Sequence, residues 1–398
     1  MPLKMIKRVI ATNFKSFEFL DVNLSNLNVV IGQNSAGKSN YVSIFQFIRD
    51  IATIGLNNAI SLQGGIEYLM NFKNYNKSNL EIEIQFDNNR ALSLGPPPVI
   101  RFSDFSYKIT LYPSKEKKGI KEYVEVLSMK GYKKGTNPSQ KSGYKLISEN
   151  GRIHWEGDKK VMERVLPFPE SLNLKFGSLL RIPPLSLFLG FTFGAQMQVY
   201  DFDPKLSRKA IPITGRAELE PDGSNTTLLI KNLKDDPEKW KRFIRYLKVC
   251  LPFIKDLYIE NQADKSLLFK ALETYDPKTY IPAPLISDGT IEIVSTIYAL
   301  FFEKKDLIVL EEPERNIHPK LISSIMHLIK EASHAKQIII TTHSPEIIRH
   351  VDIENLYVID RDENGYSKLM HPSDIGTVKA FLKDKIGIED LFIDGILT

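Results

Sequence analysis

The spacing of apolar residues changes twice along this chain. From Val9 to Ile31, β-branched and aromatic runs, V-I-A-T-N-F-K-S-F-E-F-L and then L-N-V-V-I, predict strands, the last ending at a glycine. Lys38 to Ile54 then carries Val42, Ile44, Phe45, Phe47, Ile48, Ile51 and Ile54 at helical spacing. From about Leu56 to Gly215 the pattern becomes short and alternating, as in L-E-I-E-I-Q-F-D (Leu80 to Asp87) and Y-V-E-V-L (Tyr123 to Leu127). Clusters of Gly, Pro, Asn and Lys separate these segments, so this stretch predicts an inserted β-rich unit with long loops. Leu228 to Leu251 returns to helical spacing, with Trp240, Phe243, Ile244 and Leu247 on one face. The last third alternates: helix Thr290 to Phe302, strand Asp306 to Leu310, helix Pro319 to Ser333, strand Gln337 to Thr341, strand Asn355 to Asp360.

Strands alternating with helices of this length predict βαβ units on a mostly parallel sheet flanked by helices, an α/β core split by the insertion. The expected segments are residues 1–56 and 285–398 for the two halves of the core, 57–215 for the insertion, and 216–284 for a helical or mixed lobe. No repeat and no sustained heptad run interrupts this reading.

Composition narrows the class without choosing a function. Hydrophobic content of 42% and charged content of 25% over 398 residues are those of a soluble globular chain. The N-terminal residues lack an apolar signal core. The most apolar stretch, Leu179 to Val199, contains Arg181, Pro183 and Pro184, so neither secretion nor a membrane span is expected and the chain is placed in the cytoplasm. A single cysteine, Cys250, rules out an internal disulfide and a cysteine-based metal cluster. Net charge is +5, but Lys115 to Lys145 alone holds nine lysines against three glutamates. With Tyr112, Tyr123, Tyr132 and Tyr144 interleaved, that segment, and Lys117, Lys118, Lys133 and Lys134 in particular, is a candidate contact for double-stranded DNA.

The chemistry concentrates at the ends of apolar strands. Gly32 to Ser39 reads G-Q-N-S-A-G-K-S between a predicted strand and a predicted helix. In that setting the glycines allow a turn whose amides face an anion, and the helix adds the positive end of its dipole. Gly32, Gln33, Asn34, Ser35, Ala36, Gly37, Lys38, Ser39 and Asn40 are therefore the expected ATP-binding residues. Lys38 would reach the β and γ phosphates, Ser39 would place its hydroxyl on Mg²⁺, and Asn34 could meet the γ-phosphate or a water beside it. A second strand ends in two carboxylates, Glu311 and Glu312. Burying them side by side is costly unless a cation is supplied, as a metal–nucleotide complex would do. Glu311 would orient Mg²⁺ and Glu312 would polarise the attacking water. A third strand ends at His343, placed to hydrogen-bond a γ-phosphate. In L-I-S-D-G-T, Ser287 would cap a helix and the amides around Gly289 would form a second anion site.

The order of phosphate loop, insertion, S-D-G-T, E-E-P-E-x-x-I-H-P and T-T-H-S-P resembles the RecF/SMC/OLD-like branch of the ABC ATPases. The likeness covers roughly Met5 to Ile54 and Pro204 to Thr398, with Y-D-F-D-P at Tyr200 to Pro204 and E-L-E-P-D-G-S-N-T at Glu218 to Thr226 in the same style. The resemblance implies an ABC-type ATPase head with N-terminal antiparallel strands. It also implies a head-to-tail homodimer, or a higher oligomer, that closes on two ATP molecules. Ser287, Asp288, Gly289 and Thr290 of one protomer would meet the loop of the other. Asn13 to Phe17, with Lys15, would approach the base or ribose; Glu314 and Asn316 would lie in the dimer-communicating loop; and His343 would be the switch histidine. A Mg²⁺-sensing glutamine is implied too, with Gln63, Gln85, Gln196 and Gln198 as candidates.

Two departures bear on function. Glu311 stands where aspartate is more usual. OLD-like nucleases continue into a Toprim domain, whereas 55 residues follow His343 in this sequence, fewer than that domain needs. The acidic run Asp360, Asp362, Glu363 precedes Asn364-Gly365 and reads as a hairpin turn. The leading expectation is thus a switch ATPase without its own nuclease, acting through a separate effector protein, as the resemblance to ATPase subunits of bacterial anti-phage systems implies. The alternative is a RecF-like repair or recombination ATPase that clamps DNA. A transporter motor is excluded by the lack of S-G-G-Q and the size of the insertion.

Overall fold

In the computed structural model, residues 5–75, 77–87, 92–94, 100–114, 119–133, 142–157, 178–181, 196–374 and 392 are described. The chain begins with β1 (Met5–Phe14), β2 (Phe17–Asn23) and β3 (Leu27–Ile31), followed by α1 (Lys38–Ile54), α2 (Leu56–Leu62) and α3 (Ile66–Leu69). Next come β4 (Leu80–Asp87), β5 (Leu92–Leu94), β6 (Ile100–Pro113), β7 (Ile120–Lys133), β8 (Ser142–Glu149) and β9 (Arg152–Glu156). The remainder contains β10 (Met197–Tyr200), α4 (Pro204–Ser207), β11 (Ile211–Pro212), α5 (Thr226–Lys234), α6 (Pro237–Cys250), β12 (Ile254–Asn261), β13 (Ser266–Glu273) and β14 (Tyr280–Pro282). It closes with α7 (Asp288–Phe301), β15 (Leu307–Glu311), α8 (Pro319–Ser333), β16 (Gln337–Thr342), α9 (Pro345–Ile348), β17 (Leu356–Arg361) and β18 (Ser367–Met370).

These elements form two compact units. The first comprises Met1–Asn26, Gly32–Met197 and Ile359–Met370. Its sheet runs in the order β2-β1-β4-β6-β7-β8-β9, with β5 on β6, and the described pairings are antiparallel. Strand alternation puts Ala11 opposite Ile82 and Ile82 opposite Ile109, all buried, so one face of the sheet is a continuous apolar ladder. The N-terminal strands and the strands expected as an insertion therefore share one sheet. On the same face, opposite Ile109, lies the fully buried carboxylate of Glu125. It accepts from the Tyr107 hydroxyl at 2.5 Å, the Ser178 hydroxyl at 2.5 Å and the Leu179 amide at 3.2 Å. Burial pushes its pKa up, and these bonds offset part of that push.

Helix α1 buries Tyr41, Val42, Phe45, Ile48 and Ile51 along one stripe and stops at Gly55, whose φ of 88° continues no helix. The β-rich stretch expected from Leu56 onward opens instead with α2 and α3, each too short for its periodicity to stand out from a loop.

The second unit comprises Leu27–Ile31, Gln198–Val358 and His371–Thr398. At its centre β15, β16, β3 and β17 are parallel neighbours, with Leu310 beside Ile340, Ile340 beside Val29, and Val29 beside Leu356. Every residue of β3 and β16 is buried, as expected of strands covered on both faces. Helix α8 makes the crossover from β15 to β16, and α7 brings buried Ile291, Val294 and Ile297 to the same core. The helical stretch expected from Leu228 to Leu251 is two helices. Asp236 breaks it, accepting the Lys239 amide at 3.1 Å as N-cap, and Pro237 opens α6. A small antiparallel sheet, β11-β13-β12 with β14 on β13, completes this unit.

Candidate active site

Strand β3 ends at Ile31 and the glycine-bounded loop, the candidate phosphate loop, begins at the next residue. The loop has no room for larger residues at its two glycines. A Cβ on Gly32 would sit 2.3 Å from the Ile359 carbonyl oxygen; on Gly37, where φ is 118°, it would sit 2.2 Å from the Ser367 hydroxyl. Lys38, 8% exposed, folds back so that Nζ donates to the carbonyls of Gly32 at 2.8 Å and Gln33 at 3.1 Å. The first turn of α1 carries no acidic residue, so its positive end is left uncompensated by its own side chains.

The β1–β2 turn is fastened to the start of α1. Asn40 donates to the Ser16 hydroxyl at 2.8 Å, and Ser43 donates to the Ser39 carbonyl at 2.7 Å. Lys15, at φ 46°, donates to the Ser43 hydroxyl at 2.9 Å and to Gln63 Oε1 at 2.8 Å. Gln63 is thereby tied to this cluster, whereas Gln85 bonds Glu83 and Gln198 bonds the Val199 carbonyl.

In the second unit, Glu311 ends β15 level with Thr341, and Thr342 ends β16 level with Ile31. The register therefore aligns the outlets of three adjacent parallel strands. Glu312, at φ 46°, donates its amide to the Thr341 carbonyl at 2.8 Å. Its two carboxylate oxygens face different partners: Oε1 lies 2.9 Å from His343 Nδ1, and Oε2 lies 3.3 Å from Arg315, which also pairs with Asp201 at 3.0 Å. Burial pushes the Glu312 pKa up, but the hydrogen bonds and charges of His343 and Arg315 outweigh it, and the net shift is downward. Glu314 is buried and accepts from the Thr342 hydroxyl; burial keeps its pKa above the ordinary value despite that bond.

Ser287 caps α7 as the sequence predicts, accepting the Thr290 amide at 3.2 Å, while Asp288 pairs with Arg208 at 2.9 Å. A Cβ on Gly289 would come within 2.5 Å of the Asn316 carbonyl oxygen, so the start of α7 packs directly on the loop after β15. The roles of Arg208, Asp201 and Arg315 were not read from the sequence. The one available signal was the position of Arg315 inside E-E-P-E-R-N and of Asp201 inside Y-D-F-D-P.

Glu292, on α7 and 2% exposed, has an Oε2 without a hydrogen-bond partner among the described residues. Burial pushes its pKa up to about 9; Arg315 opposes that push and Asp201, Glu314 and Asp203 add to it. A carboxyl raised in the folded state contributes stability that is full below its unfolded value, near 4.5, and lost as pH rises toward about 9. Glu292→Gln, which removes the ionisation, is expected to raise Tm by several degrees at pH 8.5 and by less at pH 5, read by thermal denaturation across that range.

Of the lysines proposed for DNA, Lys117, Lys118 and Lys134 lie outside the described residues, and Lys133 is the last residue of β7, its side chain not described. Elsewhere in that segment Lys145 pairs with Glu156 at 2.8 Å and Lys121 with Glu122 at 3.6 Å.

The parallel sheet flanked by helices, with its antiparallel N-terminal sheet, has the fold of an ABC-type ATPase head. Its fold is similar to that of a solved SMC head bound to the C-winged helix domain of ScpA, over 92% of this chain and 96% of that one, with TM-score 0.51 and 14% identity. Residues 176–349 match the family described as "AAA domain, putative AbiEii toxin, Type IV TA system". The chain is also 31% identical over 90 residues to the Septu protein PtuA of Bacillus thuringiensis, a match spanning 21% of this chain and 23% of that relative. Among the described residues no helix is long and apolar enough to cross a membrane.

Proposed function

We propose that this protein is a nucleotide-driven switch that binds MgATP, closes as a head-to-tail dimer and hydrolyses ATP to ADP and phosphate to release it. The alignment of three strand ends, at Ile31, Glu311 and Thr342, carries this reading, because each is followed at once by a group the reaction needs. The loop after Ile31 supplies the amides and Lys38 for the phosphates. Ser39 and Glu311 offer hard oxygens, the donors Mg²⁺ prefers, and would hold the cation, which would supply neutralisation of the phosphate charge. Glu312, kept ionised by His343 and Arg315, accepts the proton of the attacking water, and His343 orients that carboxylate and reads the terminal phosphate. Ser287 to Thr290 present a helix N-terminus to the nucleotide held by a partner copy.

The likeness to a Septu protein and to a family described as a toxin of a Type IV TA system supports a role in bacterial anti-phage defence through a separate effector protein. For the DNA-clamp alternative, Lys121 and Lys145 of the basic segment are paired with acids, while Lys130 is exposed. Purification from the native host with and without Glu312→Gln tests the proposal. An effector retained by the ATP-trapped variant supports it; DNA-stimulated hydrolysis with no retained protein overturns it in favour of the clamp.

A further inference from the structure

The phosphate loop is gripped from outside by the β17–β18 hairpin, 326 residues further along the chain. The hairpin turn is stiff. Asp362 donates its amide to the Tyr366 carbonyl at 2.9 Å, and its carboxylate accepts the amides of Asn364 at 3.0 Å and Tyr366 at 2.9 Å. With Lys368 at 3.2 Å, those bonds commit Asp362 to holding the turn.

Two side chains of the hairpin reach the loop. Arg361 donates from Nε to the Ser35 carbonyl at 3.0 Å and from Nη1 to the Gly365 carbonyl at 2.6 Å, joining loop and turn through one guanidinium. The Ser367 hydroxyl donates to the Ala36 carbonyl at 2.5 Å and lies 2.8 Å from the Ser16 hydroxyl, while the Ser367 amide donates to the Ser16 carbonyl at 2.9 Å.

Those contacts decide which way the loop amides face. In a planar trans peptide the carbonyl of one residue and the N–H of the next point in opposite directions. Drawing the carbonyls of Ser35 and Ala36 outward to the hairpin turns the amides of Ala36 and Gly37 inward. The Ala36 amide indeed lies 3.3 Å from the Gln33 carbonyl across the loop. Ser35 also sits at φ 66°, a left-handed conformation that a residue with a side chain holds only where its surroundings fix it.

We infer that Arg361 and Ser367 are positioning residues for phosphate binding: they preorganise the loop amides for the triphosphate without touching it. This rests on the assignment of Gly32 to Ser39 as the ATP site. The test titrates the full-length protein with a fluorescent ATP analogue and with MgADP, records Tm, and measures kcat and KM for Arg361→Ala, Arg361→Lys, Ser367→Ala and Lys38→Ala. Losing a charge-assisted bond, Arg361→Ala should weaken nucleotide binding about tenfold, and Ser367→Ala about threefold. KM should rise with kcat little changed, because binding is lost equally in ground and transition states. Arg361→Lys should recover part of the loss. If Lys38→Ala loses binding while Arg361→Ala and Ser367→Ala bind as tightly as the parent, or lose only Tm, the positioning role is overturned. If Lys38→Ala itself keeps full affinity, the ATP assignment fails instead.

Discussion

Glu312→Gln slows ATP hydrolysis at least about 100-fold, the size of a general-base contribution, and leaves ATP affinity nearly unchanged. The substitution keeps the shape of the side chain and a hydrogen-bonding oxygen, so the contact with His343 Nδ1, 2.9 Å in the parent, survives through the amide oxygen. What disappears is the proposed proton acceptor. Its counter-charge to Arg315 goes as well, so Arg315 is left with Asp201 alone of its two carboxylate partners. On the proposed cycle, in which hydrolysis opens the dimer, the ATP-bound dimer should accumulate, visible by light scattering as doubled mass in MgATP but not in MgADP. Steady-state phosphate release at parental rate would show that the base lies elsewhere.

If Lys38 meets the β and γ phosphates as proposed, Lys38→Ala should remove binding itself, weakening ATP affinity roughly 100-fold through the loss of charge-assisted bonds. The loop should keep its shape better than this loss implies. Lys38 gives it two bonds, to the carbonyls of Gly32 and Gln33, but Arg361 and Ser367 grip it independently from the other side. Calorimetric titration should therefore show binding collapse with little change in Tm. The mutant should be monomeric at any nucleotide concentration, and tight ATP binding by it would sink the site assignment.

How much of this was legible follows from how local each signal is. Helices α1 and α8 and strand β4 fall where the apolar periodicity puts them, because their buried stripes are written in adjacent residues. The Ser287 cap, and the positions of Gly32, Glu311, Glu312 and His343 at strand ends, were readable for the same reason: each lies in a short motif at a strand or helix end. Helices α2 and α3 were not, having too few turns for a period to show. The split between α5 and α6 was written in Asp236-Pro237 but masked by apolar residues on both sides. Arg361, Ser367, Asp201 and Arg315 were invisible as functional groups. Each is an ordinary polar residue whose meaning depends on a partner brought close by the fold, as with Ser367 and Ala36, 331 residues apart.

The neighbours of β3 set a condition on how the protein is made. Both strands that flank it, β16 and β17, come from the far end of the chain, and Asn28 bonds the carbonyl of Ile338 across 310 residues. During synthesis the buried L-N-V-V-I segment therefore leaves the ribosome before its neighbours and waits, both edges open, until residues 337–358 have been made. Such long-range parallel pairing is intrinsically slow. The loop that follows β3 gains its bonds from Arg361 and Ser367 only after those later segments arrive.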